Sequence, residues 1–451
     1  MDYLIYFIVT IAILVFVHEF GHFAAAKISK MRVDIFAIGF GKRLFGFNKL
    51  TGFTFGNLPT DFDGQGNTDY RLCLLPFGGY VKIAGMVDES LDTKSLESEP
   101  KPYEFRAKST IAKLFVITAG VAMNLLLTLV IFWGINFFQG KQVFNTTTIH
   151  RIESDSKAAA VGFKSGDSIV EINGVFVNNW DDVIENLIAK NLTTDATVTV
   201  YRDSTKINLS IPRKFINDSA QEGFFLFPSP SQPVIIEVVK NSPAEDAGLK
   251  PRDIILEMNN EVLTDGLMIN NIITSNKSAE IPIVLLRDLD TIRTTVKPSM
   301  EGKIGISHSV AYTGNITYKT YGFFASITQS FDNAADYTVL TLSMLKNVIT
   351  GKIEFKQAFG GPVKIAQFAA KSADTGIIAF LYFLAMLSLS LAIINILPFP
   401  VLDGGHFVII LIEGLFRKEL PLKVKIVIQN TGFAILLLLM AFIIYNDLIS
   451  L

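Results

Sequence analysis

The sequence has one cysteine, two tryptophans, five histidines and only 18% charged residues among its 451 positions. With Cys73 alone, the chain forms no intramolecular disulfide, no all-cysteine metal site and no Cys-x-x-Cys redox pair, so a bound metal needs histidine and carboxylate ligands. The formal net charge of −2 provides no overall field for nucleic acid, and we expect no nucleic-acid partner. Half of the residues are apolar, which predicts a membrane protein rather than a soluble one.

Four apolar stretches are long enough to cross a bilayer, which takes about 20 helical residues. They are roughly Tyr3–Ile28, Leu114–Phe138, Gly376–Leu397 and Ile426–Tyr445. The first could be read as a signal peptide, but no basic residue precedes it, no obvious cleavage site follows it, and it contains ionisable residues. We therefore expect a polytopic α-helical membrane protein with four transmembrane helices, the first one retained.

Lysine and arginine cluster after the first span, before the second, and between the third and the fourth. Because basic flanks of membrane spans stay in the cytoplasm, these three segments are predicted to be cytoplasmic. Both termini and the long insert between the second and third spans are then predicted to lie outside the cytoplasm.

A second feature lies between the first two spans. Tyr70–Lys82 contains short apolar runs broken by Pro76, Gly78 and Gly79. Such runs, separated by a tight turn, are typical of strands rather than of a helix. We expect a membrane-associated β-hairpin whose backbone is satisfied against protein.

The insert contains an internal repeat, in which Ser156–Gly174 matches Ser242–Asn260 at an offset of 86 residues. Each copy has a small-residue helix start, a glycine turn and an alternating run typical of a half-buried strand. These segments resemble the Gly-Asp-x-Ile-x-x-Ile-Asn-Gly core of PDZ domains, α+β modules that often bind an extended peptide as an added strand. A spacer or a lid without a ligand explains the repeat equally well.

These features predict a division of the chain into five parts. They are an N-terminal membrane part with the hairpin (1–140), two inserted PDZ-like α+β domains (141–228 and 229–302), amphipathic linker helices (303–375) and a C-terminal membrane part (376–451).

The first span carries the motif His18-Glu19-Phe20-Gly21-His22. On a helix, residues four apart lie on one face, so both imidazoles can bind one zinc ion, with Glu19 placed as general base. Zinc lowers the pKa of bound water to about 7 and polarises a scissile carbonyl. A buried histidine is often only hydrogen-bonded, but an unpaired ionisable group inside an apolar helix costs about 2.5 kcal/mol or more. The motif therefore predicts a catalytic zinc site, with a purely structural metal as the alternative.

Catalytic zinc usually takes three protein ligands, and Asp403 is the candidate for the third. It follows the third span in the segment Asn395-Ile-Leu-Pro-Phe-Pro-Val-Leu-Asp-Gly-Gly-His406. The two prolines break the helix, so that a strand-like segment presents Asp403 inward, and the two glycines allow close approach. A turn residue at the membrane interface is the alternative for Asp403. His406 is a rival ligand, which we interpret instead as a residue that orients the ligands.

Together these motifs resemble the site-2 protease group of intramembrane metalloproteases, specifically its bacterial RseP-like branch. The resemblance covers nearly the whole chain and rests on the first-span motif, Leu74-Leu-Pro-Phe-Gly-Gly-Tyr-Val-Lys82, the tandem repeat, Gly361-Pro-Val and Asn395 through His406. It implies Glu19 as the general base, His18, His22 and Asp403 as ligands of Zn²⁺, and Asn395 near the substrate. The sequence has Gly120-Val-Ala-Met-Asn124 where the family often has Gly-Pro-x-x-Asn, which leaves the role of Asn124 open.

The resemblance also implies that the hairpin around Gly78, Gly79 and Tyr80 binds the substrate in extended form and that the PDZ-like pair filters substrates by size. The expected reaction is hydrolysis of a peptide bond within the transmembrane segment of a single-span protein, as in regulated intramembrane proteolysis. Anti-sigma factors already trimmed outside, or leftover signal peptides, are the implied substrates.

The expected location is the bacterial inner (plasma) membrane, with the active site toward the cytoplasm. Two other functions are compatible with parts of the sequence. One is a membrane scaffold with structural zinc, and the other is an ion transporter, against which the spans show no inverted repeat.

Overall fold

The computed structural model describes residues 2–59, 62–86, 99–152, 156–189, 195–216, 226–263, 266–287, 290–351 and 360–449. The chain forms two compact units, one made of Met1–Gly140 with Thr320–Leu451 and the other of Lys141–Lys319.

The described helices are, in chain order, α1 (Asp2–Ile28), α2 (Thr110–Phe138), α3 (Lys157–Val161), α4 (Trp180–Ile184), α5 (Pro243–Asp246), α6 (Gly266–Ser275), α7 (Phe323–Ile349), α8 (Pro362–Thr375), α9 (Ile377–Asn395), α10 (Asp403–Phe416) and α11 (Leu422–Ile449). The described strands are β1 (Val33–Asn48), β2 (Gly52–Phe55), β3 (Asp69–Ile83), β4 (Lys141–Phe144), β5 (Ser168–Ile172), β6 (Val175–Phe176), β7 (Ala196–Arg202), β8 (Thr205–Ile211), β9 (Ser231–Val238), β10 (Ile254–Met258), β11 (Glu261–Val262), β12 (Ile281–Arg287), β13 (Asp290–Val296), β14 (Ile306–Tyr312) and β15 (Ile316–Lys319).

The first unit contains the four long apolar helices that the sequence predicts. By length and composition the candidate membrane spans are Leu4–Ile28, Thr110–Phe138, Ile377–Asn395 and Lys423–Asp447. They fall in α1, α2, α9 and α11, and α2 packs against both α1 and α9. The prediction of a protein with four membrane helices is therefore confirmed at the level of helix length and apolarity.

The helices α1 and α2 approach closely beside the first-span motif. A Cβ atom added to Gly21 would overlap the backbone carbonyl of Ala119 and lie 2.9 Å from the Cγ atom of Met123. No larger side chain fits at Gly21 without separating the two helices, since buried helix surfaces are close-packed. Glycine at this position therefore sets the distance between the motif and α2.

A sheet with the order β2-β1-β3 follows α1. The strand β3 doubles back on itself, because Ile38 of β1 is paired with both Leu72 and Gly79. The predicted hairpin at residues 70–82 is wrong in its pairing: residues 69–72 and 79–83 each pair with β1, which lies between them in the sheet. Cys73 is buried in it, and burial raises the pKa of the Cys73 thiol, so this cysteine is a packing residue rather than a reactive one.

The sheet, α1, α2 and α10 share one hydrophobic core. The buried residues of this core include Ala25, Val33, Val81, Val116 and Ile410. Burying a valine or isoleucine side chain contributes about 1.5–3 kcal/mol, so the core fixes strand β3 and helix α10 against α2 and against α1, the helix that carries the metal motif.

The second unit has two hydrophobic cores, which repeat the same elements. The elements α3, β5, α4, β7 and β8 contribute to the first core, and α5, β10, α6, β12 and β13 contribute to the second. Strands β5 and β7 pair in the same antiparallel arrangement as β10 and β12. The strands β4 and β15, at the two ends of this unit, pair with each other.

One predicted boundary is wrong. Helices were expected throughout 303–375, but β14 pairs with β9 of the second core over residues 306–312, and β15 follows it. The second core lacks a strand if it ends at residue 302, and the unpaired edge of β9 would be left uncovered. Amphipathic helices occupy only the later part of the predicted segment, in α7 and α8.

Each core has an equivalent ion pair between an arginine and a buried aspartate. Arg202 donates two hydrogen bonds of 2.7 Å to Asp167 and one of 2.7 Å to the carbonyl oxygen of Gly162. Arg287 makes the equivalent bonds to Asp253 and to Gly248. Neither carboxylate side chain is exposed, and each is compensated by its arginine and by one backbone N–H group, from Lys164 and Lys250 respectively.

We expect Asp167→Asn to destabilise the first core by about 2 kcal/mol, because Arg202 loses the charged acceptor of its two hydrogen bonds. Hydrogen exchange of the full chain in detergent should show faster exchange in residues 156–211 and unchanged exchange in the second core. Asp181→Asn is the matched control, since Asp181 forms a half-exposed pair with Lys141 worth at most about 1 kcal/mol. Equal effects of the two substitutions would contradict the assignment.

Candidate metal centre

His18 and His22 project from the same face of α1. Their ring centroids are 4.9 Å apart, and their Nε2 atoms are 3.3 Å apart. Each side chain is 12% exposed, so the two imidazoles lie in a largely dry interior. The helical spacing of four residues produces this pairing without help from the rest of the fold.

Asp403 is the first residue of α10 and follows a turn that ends α9. The sequence predicted a strand-like segment here, and that expectation is wrong: residues 396–402 form turns and bends, with Val401 at a φ of +80°. The glycines Gly404 and Gly405 allow close approach of α10 to this turn, since a Cβ at either would overlap its backbone carbonyls. The tight turn, rather than a strand, directs the carboxylate of Asp403 toward α1.

The three side chains meet at one point. Asp403 Oδ2 lies 3.3 Å from His18 Nε2 and 3.4 Å from His22 Nε2. Four ligand atoms at about 2.0–2.1 Å from a tetrahedral zinc ion are about 3.3–3.4 Å apart, which these three separations match. Apart from the two rings, the buried Oδ2 atom has no hydrogen-bond partner among the described residues. The donor set and its spacing therefore fit zinc, and within the described part of the chain these residues form the one such group.

Glu19 lines the same cavity of about 100 Å³ as the three candidate ligands. Gly79 and Tyr80 of β3 line it as well, as do Met86 and Val401. A Cβ on Gly79 would lie 3.1 Å from the Cγ atom of Glu19 and 2.7 Å from the carbonyl oxygen of Ala37. Glycine at position 79 thus lets the strand approach the proposed general base closely.

Three residues that the sequence indicated for the site do not belong to the metal-binding group. Asn395, the last residue of α9, is not among the residues that line the cavity, and neither is Gly78, which adopts a φ of +92° at the turn of β3. His406 lines the cavity but is not a member of the metal-binding group, and its Nε2 atom lies 3.4 Å from the amide nitrogen of Gln429. The structure therefore favours Asp403 over His406 as third ligand.

Helix α2 supplies a group of contacts that the sequence alone did not reveal. The Nδ1 atom of His22 lies 2.8 Å from the carbonyl oxygen of Val116, and the Nδ1 atom of His18 lies 3.1 Å from the amide of Asn124. Between them, a Cβ on Gly120 would overlap His22 Nε2 and lie 2.7 Å from His18 Cε1. The sequence signal for these contacts was the spacing of four residues between Val116, Gly120 and Asn124, which places all three on one face of an apolar helix.

Two histidines and a carboxylate arranged for tetrahedral zinc, with a glutamate beside them that is not a ligand, define the site of a zinc metallopeptidase. Comparison with known proteins identifies the family. The model of "Peptidase family M50" matches residues 6–439. The chain belongs to peptidase family M50, and it is a zinc metalloprotease of the site-2 type.

Curated relatives align over nearly their whole length. A Vibrio cholerae protein whose name classes it with the zinc metalloproteases is 31% identical over 465 residues, which cover 98% of this chain and 97% of the relative. "Protease RseP" of Yersinia pestis is 30% identical over 461 residues, with 98% and 97% coverage. "Regulator of sigma-E protease RseP" of Escherichia coli K12 is 29% identical over 462 residues, with the same coverage. The predicted resemblance to the RseP-like branch is confirmed.

Proposed function

We propose that this protein is an intramembrane endopeptidase that hydrolyses a peptide bond within the transmembrane segment of a single-span protein. The observation that carries the proposal is the position of the metal motif inside α1, a helix apolar enough to span a bilayer. A zinc site at such depth serves a substrate that is itself in the membrane, because ionisable groups are costly there without a function.

The proposed zinc ligands are His18, His22 and Asp403. When bound there, zinc supplies Lewis-acid polarisation of a carbonyl and acidification of a water molecule. Glu19 accepts the proton that the attacking water loses as its oxygen bonds to the carbonyl carbon. The same carboxylic acid then donates that proton to the departing nitrogen as the carbon–nitrogen bond breaks.

Strand β3 supports a specific way of holding the substrate. Residues 79–83 pair with β1 on one side, and several of them line the cavity with Glu19. A substrate segment that adds to this edge as a strand is held by backbone hydrogen bonds and is extended at the point of attack. Gly78, Gly79 and Tyr80 are accordingly the proposed substrate-binding residues, and Asn395 is proposed to contact the substrate outside the cavity.

The two cores of the second unit are proposed to be PDZ-like domains that contact substrates or limit access to the site. Their repeated elements support this assignment. In the second core, β14 is an edge strand of its sheet, and His308 of β14 lies 3.4 Å from Asn270 of α6. A strand edge beside a helix is the arrangement in which PDZ domains bind peptides.

The basic residues that flank the spans support a bacterial inner-membrane protein with its active site toward the cytoplasm and with both termini and the PDZ-like domains outside. The names of relatives, regulators of sigma-E, support anti-sigma factors as substrates, and leftover signal peptides are the second class.

Cleavage should depend on helix-breaking residues in the substrate, because a carbonyl in an intact helix is shielded by its hydrogen bond. Replacing two glycines near the cut site by leucine stabilises the substrate helix by about 2 kcal/mol in total, and we expect cleavage to slow about thirtyfold. The measurement is cleavage of a single-span substrate reconstituted with the full chain, with the cut located by mass spectrometry.

Leucine substitutions two turns away in the same substrate helix provide the control and should leave the rate unchanged. A cut outside the transmembrane segment would refute the proposal, as would undiminished cleavage of the leucine-substituted substrate.

A further inference from the structure

Asn124 is a fully buried asparagine in the middle of α2. Its amide nitrogen Nδ2 lies 3.1 Å from His18 Nδ1, and its Oδ1 atom has no hydrogen-bond partner among the described residues. A buried polar atom left unpartnered in an apolar span destabilises the fold, so this side chain calls for an explanation other than stability.

The tautomer of His18 determines whether Asn124 donates or accepts the hydrogen bond between them. His18 presents Nε2 to both Asp403 and His22, so Nε2 is the atom available to a metal. A neutral imidazole that binds through Nε2 carries its proton on Nδ1, which then donates. The only acceptor of an asparagine side chain is Oδ1, and a half-turn of the amide exchanges Oδ1 and Nδ2 within the same space.

We propose that Asn124 is a positioning residue for zinc binding: its side-chain oxygen accepts a hydrogen bond from Nδ1 of His18 and thereby fixes the ring orientation and tautomer of that ligand. The inference rests on the zinc site of the protease and does not depend on the identity of the substrate. Ligating histidines commonly donate their second nitrogen to such an acceptor, which also raises the basicity of the ligand.

The second histidine is held differently. His22 directs Nδ1 at the backbone carbonyl of Val116, 2.8 Å away, and a carbonyl can only accept. Substitution of side chains on α2 leaves this acceptor in place, whereas the acceptor for His18 is lost with the side chain of Asn124. Zinc affinity should therefore be sensitive to the residue at position 124.

The backbone of Asn124 is itself fixed by two hydroxyl groups. Its carbonyl oxygen accepts hydrogen bonds from Thr128 Oγ1 at 3.0 Å and from Ser388 Oγ at 2.8 Å. Ser388 lies on α9 and is fully buried, so this bond ties α9 to α2 at the level of the metal site. The braced backbone holds the amide in reach of His18.

The test compares zinc affinity in the purified full-length protein, by competition with a chelator of known affinity and without any substrate. Asn124→Leu and Asn124→Ala both remove the acceptor, and we expect affinity to fall about 10–100-fold. Asn124→Asp keeps an acceptor for Nδ1 and should remain within a few-fold of the wild type. The alanine variant covers the case in which leucine is too large for the site.

Asn136→Leu is the matched control. Asn136 is the other buried asparagine of α2, 4% exposed, and its Nδ2 atom likewise has no hydrogen-bond partner among the described residues. It contacts Asn333 of α7 rather than a histidine, so its replacement should leave zinc affinity unchanged.

The melting temperature of the zinc-free protein separates positioning from packing. We expect zinc-free Asn124→Leu and Asn124→Ala to melt no lower than zinc-free wild type. The proposal is overturned if these variants bind zinc as tightly as wild type, or if Asn124→Asp loses as much affinity as they do. It is also overturned if the variants that bind zinc more weakly melt at a lower temperature than wild type in the zinc-free form. Failure to cleave any membrane substrate would affect the proposed function and leave this result standing.

Discussion

Glu19→Gln is expected to reduce cleavage by about 10²–10⁴-fold while the protein keeps its full complement of zinc. Glutamine has the same shape as glutamate but cannot take a proton from water at neutral pH. Glu19 lines the cavity with His18, His22 and Asp403, yet it is not a member of the metal-binding group. Loss of activity without loss of metal is thus the signature of a general base.

The measurement pairs the cleavage rate of a single-span substrate with zinc analysis of the same purified protein. Phe20→Leu is the control, because Phe20 neighbours Glu19 on α1 but is 40% exposed on another face. It should retain both activity and zinc. Undiminished cleavage by Glu19→Gln would remove the mechanism and make a non-catalytic scaffold with structural zinc the better account.

Asp403→Ala is expected to lose zinc and, with it, all measurable cleavage. Without Asp403, only two protein ligands remain, and catalytic zinc usually needs three. The loss of affinity should exceed the roughly 10–100-fold effect of a residue that only orients a ligand.

His406→Ala distinguishes the two candidates for the third ligand. His406 also lines the cavity but is not a member of the group in which all ligand atoms lie within 4.8 Å of one another. We expect this variant to retain stoichiometric zinc after dialysis, whereas Asp403→Ala does not. The reverse outcome, zinc retained without Asp403 and lost without His406, would assign the third ligand to His406.

Much of the fold follows from local patterns in the sequence. The four long apolar helices, the doubling back of β3 near Gly78 and the repeat of Asp167 at Asp253 are all signalled by nearby residues. The strand β14 was missed, and helices were expected in its place, because its partner β9 lies about seventy residues earlier in the chain. Strand pairing over such a separation depends on tertiary packing, which a local pattern does not specify.

The sequence by itself determined the pairing of His18 and His22, since a spacing of four on a helix suffices to place two side chains on one face. It also indicated Asp403 as an ionisable residue beside a broken span. Only the tertiary structure decided that Asp403 reaches both rings, that Asn395 lies off the cavity, and that α2 presents Val116, Gly120 and Asn124 to the histidines. These contacts join segments far apart in the chain, and their geometry is set by close packing of α1, α2 and α10 around glycines rather than by any local preference.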